Sequence, residues 1–392
     1  MTIRLLFWIF LFIIIYAYLG YTLILLLLVI FKKLLTGKKP DAAGSYEPEV
    51  TLLVAAYNER ECIENKISNS FELDYPKDKL KLVWVTDGSD DGTPQILRQY
   101  KDITVLHEEV RKGKINAMNR AVRYIKTPII IFSDANTRLN KNAIREIINI
   151  FRDKSVGCVA GEKRINILRK EKAVGAGEGI YWRYESVIKS LESQFSTVMG
   201  AAGELFAIRT ELYNDVREDT LLDDFTISLE IAKMGYKIKY APDAYASESG
   251  SLTIKEELKR KFRIASGGLQ TLFRMGEVLN VFKYGMLSFQ YISHKVLRWT
   301  LVPLSFILVF ILNFIIVFTQ SIDTPLYLYF LYVQLLFYFM ILLGALLSNM
   351  KIRLKIIFIP YYLFIMNYAM INGILRYISG NQSVKWEKSK RR

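Results

Sequence analysis

The chain has 392 residues, with 53 Lys and Arg against 38 Asp and Glu, a formal net charge of +15, and 52% apolar side chains. Such apolar content excludes a disordered chain, and two cysteines, Cys62 and Cys158, exclude a disulfide scaffold. With His107 and His294 as its only histidines, the chain has little to build a His-rich zinc or haem site.

From Leu5 to Phe31 no residue is charged, and Lys32, Lys33, Lys38 and Lys39 follow. This run exceeds the roughly 20 residues that span a bilayer, which predicts a transmembrane helix over 5–31. Residues 48–275 read as a polar domain. The segment 278–298 mixes Phe282, Lys283, Tyr284, Phe289, Tyr291, His294 and Lys295, which suits an amphipathic segment lying in the membrane interface. Three more apolar runs predict membrane segments over 299–319, 326–347 and 356–375, and a basic tail closes the chain over 376–392.

Twelve of the fifteen surplus positive charges fall in 255–274, 350–355 and 376–392, beside the apolar runs. Attraction to anionic lipid and the positive-inside rule account for them, so no nucleic-acid partner is expected. The same rule puts the large domain in the cytoplasm, on the cytoplasmic membrane. Four full crossings then leave the basic tail outside, against its charge. Either 356–375 stops short, broken at Pro360, or the tail is an exception.

Within the polar domain, Val50–Ala56 is a continuous apolar run, as in a strand buried on both faces. A helical stretch follows to about Phe71. Further strands are predicted over Lys81–Thr86, Ile103–Leu106 and Ile129–Phe132, and helices over Pro94–Tyr100, Lys114–Ile125 and Asn142–Phe151. This alternation predicts an α/β domain with a mainly parallel sheet. Ligands then sit at the carboxyl ends of the strands. Two strands end there in acids: Asp87 opens Asp87-Gly88-Ser89-Asp90-Asp91-Gly92, and Asp134 opens Asp134-Ala135-Asn136.

With two histidines and no cysteine pair, acid–base and metal work falls to carboxylates. Asp134 and Asn136, two apart, offer oxygens to a hard cation, Mg²⁺ or Mn²⁺, alongside phosphate. Arg111-Lys112-Gly113-Lys114 precedes a helix, where basic side chains and free amides suit a diphosphate. No Walker A motif is present. Gly175-Ala176-Gly177-Glu178-Gly179 has a dinucleotide-like spacing but follows no predicted strand, and takes no such role. Asp223 and Asp224 open an amphipathic helix, as caps or with Asp224 as a general base. Lys259-Arg260-Lys261-Phe262-Arg263 is either a lipid-surface patch or a clamp on departing diphosphate.

In this order the motifs are recognisable: a strand running into Ala56-Tyr57-Asn58-Glu59, then Asp87-Gly88-Ser89, Gly113-Lys114, Asp134-Ala135-Asn136, Asp223-Asp224, and an arginine motif ahead of membrane helices. The chain resembles the membrane-bound family-2 glycosyltransferases, which include cellulose, hyaluronan and poly-N-acetylglucosamine synthases. The resemblance covers about 50–275. Gly200-Ala201-Ala202-Gly203-Glu204 through Arg209 is similar to the family's glycine-containing acceptor segment. Trp386-Glu387-Lys388 and Arg391-Arg392 resemble the tail of poly-N-acetylglucosamine-synthase relatives.

The resemblance implies a GT-A fold with flanking transmembrane helices. It implies Asp87, Tyr57 and Glu59 at the uridine, Lys114 on the diphosphate, and Asp134 with Asn136 at the nucleotide–metal position. Asp224 becomes the base, with Asp223 beside it. Gly203, Glu204, Arg260 and Arg263 serve the acceptor and the leaving diphosphate. The expected donor is a UDP-sugar, N-acetylglucosamine before glucose, and the acceptor a glycan or a lipid. Alternatives are a single transfer to a lipid acceptor, or an inactive membrane scaffold or transporter subunit. In two places the chain departs from the family pattern. Asn136 stands where a second acid is usual, and Arg260-Lys261-Phe262-Arg263-Ile264 keeps the arginine of the QxxRW motif without its Gln and Trp.

Overall fold

The computed structural model describes residues 2–37, 46–166, 174–249, 254–319, 325–347 and 355–380. The tail beyond residue 380 and most of the loops at 320–325 and 348–355 lie outside the described residues.

Eight strands form one sheet: β1 (Val50–Ala56), β2 (Leu80–Asp87), β3 (Ile103–Glu108), β4 (Ile129–Asp134), β5 (Arg138–Leu139), β6 (Val156–Asn166), β7 (Leu205–Arg209) and β8 (Lys237–Ser249). Their order is β3-β2-β1-β4-β7-β6-β8-β5. The four predicted strands run parallel. The sheet as a whole is mixed but mainly parallel: β7 enters antiparallel between β4 and β6 and β5 runs against β8, while β6 pairs parallel with β8. β6, β7 and β8 carry no sequence prediction, although Ile238, Tyr240 and Ala244-Ala246 of β8 show buried alternation.

The sheet is covered on both faces, which is why its central strands are apolar throughout. Leu52, Val54, Trp84, Ile129 and Ile131 pack against Ile63 and Ile67 of the helix Arg60–Phe71 and Ile144, Ile147 and Ile148 of the helix Ala143–Ile150. Leu53, Val83, Val85, Ile130 and Phe132 face Ala117 and Met118 of the helix Lys114–Val122 and Ile227 and Ile231 of the helix Asp223–Lys233. Alternate residues of one strand thus serve two cores. The run 175–179 lies inside the helix Val174–Phe195.

Among the described residues, four helical stretches are long and apolar enough to cross a membrane: Thr2–Leu35, Leu301–Thr319, Pro325–Leu347 and Ile356–Ile378. The last is unbroken: Pro360 lies inside Lys355–Ile378, where it forgoes one backbone bond without ending the helix. The segment after residue 275 is a chain of short helices with a π turn over Ile292–Val296, not one amphipathic helix. Gly285, at φ +52°, separates two of them. Phe282 is exposed, but Tyr291 and His294 are buried within the protein.

Candidate active site

Asp87 ends β2 and Gly88 turns the chain at φ +65°, where an added Cβ would stand 2.6 Å from Arg111 Cβ. Only glycine fits this approach. It brings the Asp87 carboxylate to the amides of Lys112 (3.0 Å to Oδ1) and Gly113 (2.6 Å to Oδ2). Those amides, expected to be free for a diphosphate, are taken by Asp87, which acts as the anion at this helix start. Asn58, whose φ is +53°, receives its backbone support from Ser89 Oγ and exchanges bonds with Asp90. Arg111 stacks over the Tyr57 ring at 3.8 Å. Glu59 is buried, and its carboxylate accepts from Cys62 Sγ (3.1 Å).

Lys114 is the meeting point of the distant acids. Its Nζ lies 3.0 Å from Asp134 Oδ1 and 3.2 Å from Asp223 Oδ2. Burial opposes the Lys114 charge, but Asp134 and Asp223 outweigh it and raise its pKa. Burial also opposes ionisation of Asp223, yet Lys114 and Arg263 hold its carboxyl below the usual range. Asp224 goes the other way: burial, then the Asp223 charge, push it up to about 7. Adjacent carboxylates with opposed environments are how acid–base roles are separated. Gly203 faces both groups, since a Cβ there would stand 3.3 Å from Asp224 Oδ2 and 3.7 Å from Lys114 Nζ.

Glu204 points elsewhere. Its carboxylate pairs with Lys163 and, at 3.0 Å, with Arg260; both bases also pair with Glu248. This buried cluster holds the helix Ile254–Arg274 against the 202–205 segment. Burial works against the Glu204 charge, but Lys163 and Arg260 lower its pKa. The structure therefore gives Glu204 and Arg260 to an internal ion cluster, while Arg263 acts electrostatically on Asp223.

The donor set at 134–136 fits a divalent cation in one limited way. Asn136 Oδ1 is buried with no hydrogen-bond partner among the described residues, an acceptor of the kind that marks a ligand position. Among the described residues no group of three or more His, Cys, Asp and Glu could hold an ion. One carboxylate and one amide oxygen suit a cation that keeps water and shares phosphate oxygens, not an all-protein cage.

A family model described as glycosyltransferase-like family 2 matches residues 48–267, more than half of the chain. This chain belongs to that glycosyltransferase family. Among its relatives is a poly-β-1,6-N-acetyl-D-glucosamine synthase of Staphylococcus aureus (strain COL), 28% identical over 249 residues, or 61% of this chain and 59% of that protein. The synthase of the same name from Staphylococcus epidermidis is 29% identical over 238 residues, 57% of this chain and 56% of that protein. The chain thus spans less than two thirds of the length of the curated relatives it matches. A solved mannosyltransferase, PcManGT from Pyrobaculum calidifontis in complex with GDP-Man and Mn²⁺, superposes with a TM-score of 0.71 over 97% of this chain and 100% of that chain, at 22% identity. At that identity the likeness concerns the fold, and it extends beyond the family-2 domain to the flanking helices.

Sequence reasoning missed Lys66, Lys163 and Glu248. Lys163 and Glu248 sit on β6 and β8, which it did not assign. Lys66 lies in a charged helical stretch and is buried. That burial pushes its ammonium down to about 7, with the Asp134 charge acting against the shift.

Proposed function

We propose that this chain transfers a sugar from a UDP-sugar to an acceptor hydroxyl at a membrane, with inversion at the anomeric carbon. The observation that carries this reading is the Lys114 junction, which joins Asp134 to the Asp223–Asp224 pair. Asp224, raised to about 7, is matched to a general base working near neutrality. Its carboxylate takes the proton of the acceptor hydroxyl, and the hydroxyl oxygen attacks the anomeric carbon. The bond from that carbon to the diphosphate oxygen breaks, and UDP leaves with the electron pair. Lys114 and Arg263 neutralise the charge that develops on the diphosphate. Asp134 and Asn136 would hold Mg²⁺ or Mn²⁺, which adds to that neutralisation when bound. Positioning and electrostatics supply the acceleration without a covalent enzyme intermediate.

The names of the staphylococcal relatives support N-acetylglucosamine as the first donor to try, glucose as the second, and a polysaccharide product. The GDP-Man and Mn²⁺ of the solved mannosyltransferase support a nucleotide sugar and a divalent cation. The four apolar helices support a multi-pass membrane protein, and the lysines after the first helix support a cytoplasmic catalytic domain. Export of the product through the membrane helices belongs to the same reading. Ile264, where processive members carry Trp, favours the second version, a single transfer to a lipid acceptor.

The test is UDP release by the detergent-purified chain with a panel of UDP-sugars, in Mg²⁺, Mn²⁺ or EDTA. Metal-dependent release with one sugar is expected, and product length separates extension from single transfer. Binding of UDP without release under any condition supports an inactive scaffold. Absence of UDP binding overturns the nucleotide-sugar reading. Near-full turnover by Asp224→Asn overturns the mechanism.

A further inference from the structure

The turn that carries Asp134 and Asn136 has little sheet to hold it. Pairing of β4 with β1 stops at Ala55↔Asp134, and pairing with β7 stops at Ser133↔Leu205. Ladder bonding resumes only at Arg138 and Leu139, where β5 meets β8. Residues 135–137 keep one backbone bond, Thr137 N–H to Asp134 O at 3.4 Å, and side chains supply further support.

One helix supplies them. In Arg60–Phe71, Cys62, Lys66 and Asn69 lie on a common face at spacings of four and three. Cys62 Sγ reaches Ala135 O at 3.8 Å. Lys66 Nζ donates to Ser133 Oγ (2.7 Å), Thr137 O (2.9 Å) and Thr137 Oγ1 (3.1 Å). Asn69 clasps Leu139 from both sides, donating Nδ2 to its carbonyl at 2.9 Å and accepting its amide at 2.8 Å. The contacts continue outward from Lys66. Ser133 Oγ bonds Glu204 O (3.1 Å), and Thr137 Oγ1 bonds Asp134 O (2.9 Å). Two neighbours of the reaction centre, the 134–136 turn and the segment after Gly203, are thus fixed to one amino group.

Lys66 is 2% exposed and forms no ion pair among the described residues. A buried amino group costs free energy unless its donors are satisfied, and an ammonium has three N–H donors, matching the three acceptors around it. Mere filling of that volume requires no nitrogen.

We propose that Lys66 and Asn69 are positioning residues that hold the Asp134–Asn136 turn in the geometry that receives the divalent cation and diphosphate. This rests on the nucleotide-sugar reading above. It predicts a loss in metal affinity rather than in nucleotide affinity alone, because the groups displaced are those that present the cation's oxygen ligands.

The test uses the full chain in detergent, with Lys66→Met, which keeps the volume, and Thr137→Val, which keeps the shape and removes only the hydroxyl. Free Mn²⁺ is followed by electron paramagnetic resonance in the presence of UDP, and UDP binding is measured separately in EDTA. Both variants are expected to raise the Mn²⁺ dissociation constant by about 10–100-fold, while UDP binding in EDTA changes by less than about twofold. With a turnover assay, raising Mn²⁺ should restore most of kcat. Unchanged Mn²⁺ affinity in a folded variant, with only the melting temperature lowered, overturns the proposal and leaves Lys66 a structural residue. Thr137→Val decides the matter if Lys66→Met does not fold. Failure of the unmodified chain to bind either UDP or Mn²⁺ is a different result: it sinks the nucleotide-sugar reading, and this proposal with it.

Discussion

Asp223 and Asp224 are neighbours in sequence with opposed environments. Asp223 is held ionised against burial by Lys114 and Arg263, whereas burial and the Asp223 charge raise Asp224 to about 7. A base of that pKa works when deprotonated, so kcat/KM should rise with pH through about 7 and level off above it, as a pH–rate profile of UDP release would read. Stability runs the opposite way. The folded pKa of Asp224 lies above its ordinary 3.8, so the folded state binds the proton more tightly. That contribution is full below about pH 4 and is lost as pH rises through about 7. Asp224→Asn should therefore lower transfer by about 10²–10⁴-fold. It should also raise the melting temperature at pH 8, while UDP binding persists in calorimetry. Gly203 makes a second residue-scale case. The methyl of Gly203→Ala would stand 3.3 Å from Asp224 Oδ2, where the proposed mechanism puts the acceptor hydroxyl. The expected result is a loss of kcat of about tenfold or more, since small misplacements at a reacting centre are costly. The UDP dissociation constant should not change.

At the scale of elements, the site is made by strand ends meeting helix starts. β2 delivers Asp87 to the turn before Lys114–Val122, and that helix start aims Lys114 at β4 and at the start of Asp223–Lys233. The helix Ile254–Arg274 carries two arginines with different work. Arg260 closes the buried cluster with Glu204 and Glu248, whereas Arg263, one turn further, bears on Asp223. Arg260→Met leaves Glu204 with Lys163 as its remaining buried partner and should cost about 1–3 kcal/mol in thermal or denaturant unfolding. Its UDP affinity should stay near that of the parent. Arg263→Met should weaken UDP binding and change the melting temperature little. Reversal of these two outcomes would assign the diphosphate role to Arg260 rather than Arg263.

At the scale of the whole molecule, a buried network ties the first apolar helix to the catalytic domain. Arg298 donates to Glu185 Oε1 (2.6 Å), to the Tyr184 hydroxyl (2.6 Å) and, through Nε and Nη2, to the carbonyl of Ala17. Ala17 lies in the π turn Tyr16–Gly20, where a carbonyl loses its regular helical partner. His294 bridges Glu185 and Glu192, and Tyr21 donates to Glu192 at 2.6 Å. Arg298→Met leaves Glu185 short of its guanidinium and should destabilise the chain by about 3–5 kcal/mol. In detergent this is expected as a large drop in melting temperature. An unchanged melting temperature would mean that the first helix and the domain are held by apolar packing alone.

The sequence by itself determined the elements whose signal is local. Apolar runs gave β1, β2, β3 and β4 within a residue or two; β1, β2 and β4 are buried on both faces, whereas β3 is a half-buried edge strand. Runs without charge gave the four long apolar helices, and acids after strands gave Asp87 and Asp134. Motif order pointed to Asp224, Lys114 and the family. Tertiary structure alone decided what each side chain faces. Asp87 closes on the amides of Lys112 and Gly113, the Glu59 carboxylate accepts from Cys62, and Glu204 pairs with Arg260. Lys66, which carries no sequence expectation, is buried beside the 134–136 turn. Nothing within a few residues of Asp87, Glu204 or Lys66 sets such outcomes. They depend on partners far away in the chain, such as Lys163 from β6 and Glu248 from β8, and on β7 entering antiparallel beside β4. Local pattern fixes which face of a strand or helix is apolar; which charge meets which across that face is fixed only when the sheet closes.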